Sequence, residues 1–455
     1  MLMLFASVLI ISSVSAEDYN PGADFHVDAA WNFNGDANFS DFTVIGGHSV
    51  LAGMDFDSDS LFEVLFVIDE TLAPGGPDPG KLGVYLYESD GNGGYTHVWH
   101  WVTPDPGNSL PGMNYGDIDG DGNHEIYFGV PPSVGNNTNS WGTYIFEQGA
   151  DGAFPTTPTM LWQHANGATG LTETDNFRPS SYQIADVDGD GKNELITTDR
   201  GMVHLTIDAL VGDDLDDLAT MANEYFTGGD GAELDGGGIY DVDVVDFDGD
   251  GLHEVWVNTW DNFSMAIYEA TGADAYRLAN DLNEMFIDND PGSFNRVGFA
   301  FHDIDGDGAM EAWFPMTNGK LYYLETVADS TDSAHFAVGG VDSIKASHFH
   351  EILTFGPNSS RGGDVGDIDG NGKPDIIVGT GTAETVVRIE YQGSDPTDPF
   401  SYMVSTILES QGGDPDRWYS LDISDNDLDG DGNLEVVVPN IKGVLEGQAQ
   451  ILILD

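Results

Sequence analysis

Cysteine is absent from this 455-residue sequence and basic residues nearly so, with 13 Lys and Arg against 79 Asp and Glu and a formal charge of −66. The first absence excludes a disulfide framework and any thiolate metal site. The second excludes nucleic acid and anionic membrane surfaces as partners, because binding phosphate requires clustered cations. Helical periodicity is also scarce: Asp213–Glu224 is the best candidate, and it reads as a loop insertion in the third repeat unit. No apolar run beyond the N-terminus is long enough to span a membrane. Residues 1–16, MLMLFASVLIISSVSA, are short for a bilayer and end in Val14-Ser15-Ala16, as an export signal does. The expected division is a signal peptide over 1–16 and a single mature body over 17–455, secreted and either extracellular or at the cell surface.

What is present is glycine (59 residues), aromatic side chains at 11%, and acids placed with a period. Seven segments align without gaps: DFDSDSLFE from Asp55, DIDGDGNHE from Asp117, DVDGDGKNE from Asp186, DFDGDGLHE from Asp246, DIDGDGAME from Asp303, DIDGNGKPD from Asp367 and DLDGDGNLE from Asp427. Successive starts differ by 62, 69, 60, 57, 64 and 60 residues. A period of that size holds four short strands and their turns, the content of one propeller blade. In the second unit MNYGDI leads into the motif, EIYFGV leaves it, and WGTYIFEQ and TMLWQHA follow, each rich in β-branched and aromatic residues. The last unit supplies only YSLDIS, EVVVPN and QAQILILD, whereas FHVDAAWNF from Phe25 is an unassigned strand near the N-terminus. The expected fold is an all-β, seven-bladed β-propeller with four-stranded blades, its last blade completed by that N-terminal strand so that both open edges are paired.

Carboxylates at positions 1, 3 and 5 of a tight loop converge on one point, glycine at 4 and 6 admits the unusual backbone, and an acid at 9 completes an oxygen shell. The predicted metal ligands are Asp55, Asp57, Asp59 and Glu63; Asp117, Asp119, Asp121 and Glu125; Asp186, Asp188, Asp190 and Glu194; and Asp246, Asp248, Asp250 and Glu254. The later units add Asp303, Asp305, Asp307 and Glu311; Asp367, Asp369, Asn371 and Asp375; and Asp427, Asp429, Asp431 and Glu435. Hard oxygen donors in a flexible loop suit Ca²⁺, up to seven ions, better than Mg²⁺. A helix–loop–helix calcium hand places its bidentate acid at position 12; here that position is Phe66, Phe128, Thr197 or Val257, inside a strand. The loop therefore caps the hairpin between the first and second strands of a blade. Seven ions would bring +14, and −66 + 14 = −52, so most of the acidity lies elsewhere and suits a saline medium.

This pattern resembles the FG-GAP and VCBS type of repeat found in integrin α-subunit propellers and many bacterial secreted proteins, over essentially the whole mature chain. Tyr127-Phe128-Gly129-Val130-Pro131-Pro132 echoes that family's Gly-Ala-Pro ending. The resemblance implies calcium on one face of the propeller, ligand contacts often on the other, and adhesion or carbohydrate recognition outside the cell.

Four of the scarce cations, and one histidine, fall on the side opposite the acidic loops. Arg178, Arg296, Arg361 and Arg417 precede their unit's first motif Asp by 8, 7, 6 and 10 residues, and His48 stands seven before Asp55. The arginines are candidate ligand-binding residues, a rim for an anionic glycan such as a uronate or sulfated chain; the competing reading pairs each with a carboxylate of the next blade. The long segments 166–180 and 228–239 lie on the same side. Strand alternation puts His97, Trp99 and Trp101 on one side and His100 on the other, which is packing rather than a metal triad. His348 and His350 share a strand face with Glu351 opposite, leaving a zinc site open, and Trp31, Trp141, Trp260 and Trp418, where exposed, would stack on sugar rings. No nucleophile elbow, phosphate loop or HExxH helix occurs, and no catalytic residue is identified. The reading is a calcium-binding adhesion or carbohydrate/protein-binding module; the alternative is a polysaccharide-active enzyme, a lyase or hydrolase, with its site on the face opposite the calcium loops.

Overall fold

A strand buried on both faces needs an unbroken apolar run rather than alternation. Seven such runs follow the seven acidic motifs, and each is the second strand of a sheet: Glu63–Thr71, Glu125–Val130, Glu194–Asp199, Glu254–Thr259, Glu311–Pro315, Asp375–Thr380 and Val436–Pro439. The computed structural model describes residues 12–13, 19–22, 25–34, 36–39, 43–71, 80–133, 141–163, 177–201, 204–216, 220–227, 238–259, 265–282, 300–327, 337–356, 360–380, 385–393, 395–410, 418, 420–441 and 449–455. The described residues form seven separate sheets of four principal antiparallel strands, the blades of a β-propeller.

The two faces of each second strand serve different neighbours. Val64, Phe66 and Ile68 pack with Val437, Ile451 and Ile453 of the seventh blade, while Leu65 and Val67 pack with Ile126 and Phe128 of the second. Equivalent clusters join blades two and three, three and four, four and five, five and six, and six and seven. The core is thus seven inter-blade layers rather than one interior, which closes the ring. Large aromatics fill these layers: Trp256, Trp313 and Trp418 are fully buried.

The seventh blade is completed as expected. Val27–Asn32 pairs antiparallel with Ile451–Leu454 in the register Val27↔Leu454, Ala30↔Leu452 and Trp31↔Ile451. Ser12–Ser13 pair on the outer side of that strand; the rest of the expected export segment lies outside the described residues. Among the described residues no helix is long and apolar enough to cross a membrane.

Four local expectations are corrected. Asp213–Glu224 holds no helix among its described residues: Thr220–Phe226 is the fourth strand of blade three, and its pairing with His204–Val211 satisfies its backbone. In Tyr95–Val102 the register slips where Leu86 faces Trp99 and Tyr87 faces His97, leaving Val98 bulged and 48% exposed. That slip puts His97 and His100 on the same side, Nε2 to Nδ1 at 3.0 Å, and sends Trp99 and Trp101 against Phe146. His348 and His350 do not share a strand, because His348 ends the single 3-10 turn Ala346–His348 and accepts the Lys345 backbone N–H at 3.2 Å. Trp31, Trp141 and Trp418 are inter-blade or under-loop packing, 9%, 3% and 0% exposed, and so offer no sugar platform; Trp260 lies outside the described residues.

Candidate functional site

The acidic loops fold identically because their side chains cap their own turn. The position-1 aspartate accepts the backbone N–H of position 6 in every copy: Asp55 from Ser60 at 3.1 Å, Asp117 from Gly122 at 2.9 Å, Asp186 from Gly191 at 3.0 Å and Asp246 from Gly251 at 3.1 Å. Asp303, Asp367 and Asp427 do the same to Gly308, Gly372 and Gly432. Position 5 accepts from position 7, as Asp121 does from Asn123 at 2.7 Å and Asn371 from Lys373 at 2.9 Å. Position 9, the first residue of the second strand in most blades, reaches back to the N–H of position 2: Glu125 to Ile118 at 2.8 Å, Glu254 to Phe247 at 2.7 Å, Glu311 to Ile304 at 2.6 Å. Positions 4 and 6 have positive φ, for example 71° and 91° at Gly120 and Gly122. The first loop holds the same shape with Ser58 at 62° and Ser60 at 72°. Left-handed backbone costs a residue with a Cβ about 1 kcal/mol or more. Ser60→Gly is therefore expected to raise stability by about 1 kcal/mol in urea melts; a neutral or destabilising result would show that the hydroxyl has its own role.

These loops gather oxygen atoms that none of the described residues satisfies. Carboxylate oxygens of Asp186, Asp188, Asp190 and Glu194 all lie within 4.8 Å of one another, and so do those of Asp303, Asp305, Asp307 and Glu311, and of Asp55, Asp57 and Asp59. Glu125, Glu254 and Glu311 are fully buried, yet each leaves one carboxylate oxygen without a hydrogen-bond donor, as do Asp186, Asp246 and Asp248. Burial and the neighbouring aspartates push Glu63, Glu125, Glu194 and Glu254 up to about 8 and Glu311 up to about 9. A buried carboxylate with an unused lone pair facing other carboxylates is costly unless a cation joins it. All-oxygen donors at this spacing fit a hard divalent ion, and Ca²⁺ above all.

The structure adds acids that the ungapped motif does not contain. Across the hairpin, position 9 stands opposite an acid of the third strand: Glu63 faces Glu88, Glu125 faces Glu147, Glu254 faces Glu269, Glu311 faces Glu325 and Asp375 faces Glu390. In blade three the partner is Ala209, and Glu224 of the fourth strand approaches Asp188 instead, pushed up to about 7 by burial first and its acidic neighbours second. The separation from position 9 runs from 14 residues (311 to 325) to 25 (63 to 88), so only strand pairing reveals the pattern.

The sixth loop differs in kind. Arg388, on the third strand, donates from Nε to Asp375 Oδ1 at 2.6 Å and from Nη2 to Asp375 Oδ2 at 2.9 Å and Asp369 Oδ2 at 2.8 Å. Its side chain is only 9% exposed. A guanidinium thus sits among the predicted ligands of this copy, the one with the shorter Asp at position 9.

The loops also clamp one blade to the next. Asp119 accepts from Leu215 N at 2.8 Å, Asp188 from Asp274 N at 2.6 Å and Asp248 from Val341 N at 3.1 Å, each acceptor being position 3 of one blade and each donor in the following one.

The innermost strands line a central cavity of about 180 Å³ whose wall includes His48, Ser181, Gln183, Tyr240, Asp241, Asp243, Asp364 and Asp422. The wall is acidic rather than cationic. Arg178 donates to Asn108 Oδ1 and the Ser109 carbonyl, both at 3.1 Å, which bridges blades two and three. Arg200, which the sequence did not single out, joins the same carbonyl at 2.7 Å and lies 5.4 Å from the centre of the Tyr240 ring. Arg361 begins in the innermost strand Ser360–Gly366; its side chain, Arg296 and Arg417 lie outside the described residues. So do most of segments 166–180 and 228–239.

Asp364 and Asp422 face a second cavity with Asp425 and Tyr115. Burial first, then Asp364 and Asp425, holds Asp422 well above the usual carboxylate range, and burial pushes Asp364 up to about 6. Both groups bind protons more tightly folded than unfolded, so their contribution to stability is present at low pH and is lost as pH rises from about 4 through the folded values. Asp422→Asn, which keeps an acceptor for the Ala52 N–H, is expected to raise the melting temperature at pH 8 and leave it unchanged near pH 4. An equal effect at both pH values would refute the charge argument.

The geometry defines the class first: a seven-bladed β-propeller with an acidic loop at the same hairpin of every blade, the sixth already holding a guanidinium. Residues 55–128, from the first loop into the second strand of blade two, match the family described as FG-GAP-like repeat. The family match and the seven-bladed ring together support an FG-GAP/VCBS-type repeat propeller. No curated protein matches it. Among solved structures it is similar to an Agrocybe aegerita lectin described as recognising non-reducing terminal N-acetylglucosamine, at 14% identity over 82% of this chain and 92% of that one, with a TM-score of 0.41. It is also similar to the rhamnogalacturonan lyase YesW, at 13% identity over 89% and 75%, with a TM-score of 0.35.

Proposed function

We propose that the protein is an extracellular calcium-binding propeller that serves as a rigid adhesion or glycan/protein-binding module, with Ca²⁺ in six of its seven loops and Arg388 in place of the ion in the sixth. The observation that carries the calcium reading is the buried, donor-less oxygen at position 9 of loops two, four and five. The acids of each loop would hold the ion, and the ion would neutralise them; its chemistry is structural. A secreted setting suits this, because extracellular calcium fills even sites of about 10⁻⁴–10⁻³ M affinity. Metal analysis after equilibration in calcium buffer tests the reading: six ions per chain are expected, seven would mean that Arg388 is displaced, and none would overturn it.

For ligand binding we assign the face opposite the loops, with Arg296, Arg361 and Arg417 as candidate contacts on the strength of their sequence spacing from the motifs. Arg178 is the weaker candidate, since its hydrogen bonds already go to Asn108 and Ser109. A glycan array run with and without calcium, repeated on Arg296→Gln/Arg361→Gln, tests this. Loss of binding to anionic glycans with an unchanged melt supports the rim, and lost stability with unchanged binding refutes it. Depolymerisation of a uronate glycan would favour the enzyme reading instead.

A further inference from the structure

We infer that the metal site of the seventh blade takes a ligand from outside its own loop, Asp28 of the N-terminal strand, so that the ion at this one site locks the ring shut. The inference rests on the calcium reading above and extends it to a residue that the loop motif does not contain.

Three observations carry it. A carboxylate oxygen of Asp28 lies within 4.8 Å of those of Asp429 and Glu435, positions 3 and 9 of the seventh loop. The Asp28 side chain is only 7% exposed, and its Oδ2 has no hydrogen-bond donor among the described residues. The third is a difference between loops. In loops two, four and five the donor-less buried oxygen belongs to position 9 itself. In loop seven Glu435 spends both oxygens locally: Oε1 accepts the Leu428 and Asp429 N–H groups and Oε2 accepts Leu428 N–H and the Ser424 hydroxyl. Asp28 supplies the open oxygen that position 9 does not.

Its position makes this more than one extra ligand. Asp28 belongs to Val27–Asn32, the strand that completes blade seven from the far end of the chain and pairs with Ile451–Leu454. In a propeller closed by its two termini, the closing strand is held by ladder hydrogen bonds and packing that can fray together. A metal bound by Asp28 on one side and by Asp429 and Glu435 on the other ties that strand to the loop between the first two strands of its blade. His26 lies on the exposed side, its Nε2 2.8 Å from Asp28 Oδ1 and 3.5 Å from Asp455 Oδ2.

Hydrogen exchange on the full-length protein across a calcium titration tests this, with the fourth loop, residues 246–254, as internal control. In the wild type, amides of residues 27–32 are expected to exchange about tenfold or more slowly with calcium than with chelator. In Asp28→Asn that calcium dependence is expected to vanish while the one at 246–254 persists, and bound calcium is expected to fall by one ion per chain. Asp429→Asn, which damages the same site from the loop side, should release the same strand. Calcium-dependent protection of 27–32 that survives in Asp28→Asn overturns the inference. Should neither variant fold, the wild-type titration still decides, since protection of 246–254 without protection of 27–32 overturns it as well. Calcium independence at both segments would instead overturn the calcium reading itself.

Discussion

Chelating calcium from the intact protein is expected to lower its melting temperature by about 20 °C or more, with full recovery on re-addition. Two effects add. Each filled site stabilises the folded state by about 2.7 kcal/mol when free calcium is about 100 times its dissociation constant. Six such sites reach about 16 kcal/mol, as large as the whole stability of a typical domain, about 5–15 kcal/mol. The second effect is what calcium removal leaves behind: Glu125, Glu254 and Glu311 remain buried beside aspartates, each with an oxygen that lacks a donor. Their raised pKa values show how unfavourable the ionised form is there, with burial the main cause. The measurement is a calorimetric melt in calcium, in chelator, and in magnesium. Magnesium should recover only part of the loss, because it keeps its water shell and tolerates fewer protein ligands. An unchanged melt in chelator would reduce the loops to solvated turns.

The loop geometry was legible because every contact that shapes it is local. Asp at position 1 caps position 6, position 5 caps position 7 and position 9 caps position 2, so a nine-residue string contains its own folding instructions. The ring was legible for a different reason. Seven units at nearly constant spacing, with three strands left at one end and one at the other, have few ways to bury their edges. What the sequence hid is what strand pairing brings together. Glu88, Glu147, Glu269 and Glu325 lie opposite position 9 only after hairpins of different lengths have closed. The bulge at Val98 put His97 and His100, expected on opposite faces, on the same one, since one extra residue inverts everything beyond it. The spacing of Arg178 allows a ligand contact or a carboxylate partner in the next blade, yet its partners are an amide side chain and a carbonyl of blade two, some seventy residues away in sequence.

Arg388 is the sharpest case of a residue that spacing could not assign, and replacing it is expected to convert a metal-independent loop into a metal-dependent one. Arg388→Met keeps the aliphatic stem and removes the guanidinium, leaving the fully buried Asp375 facing Asp369 without a counter-charge. Breaking one side of a buried pair costs about 3–5 kcal/mol, because the remaining charge stays desolvated. That loss is expected in chelator. In saturating calcium most of it should be recovered, since the vacated loop keeps Asp367, Asp369, Asn371 and Asp375, with Glu390 opposite, and can take an ion where the guanidinium stood. Calcium per chain should then rise by one. The double variant Arg388→Met/Asp375→Asn removes both charges together and should be less destabilised in chelator than the single variant, and indifferent to calcium at this loop. A single variant that loses less than about 1 kcal/mol in chelator, or gains no ion, would mean that Arg388 is a surface-type ion pair rather than the built-in cation of the sixth blade.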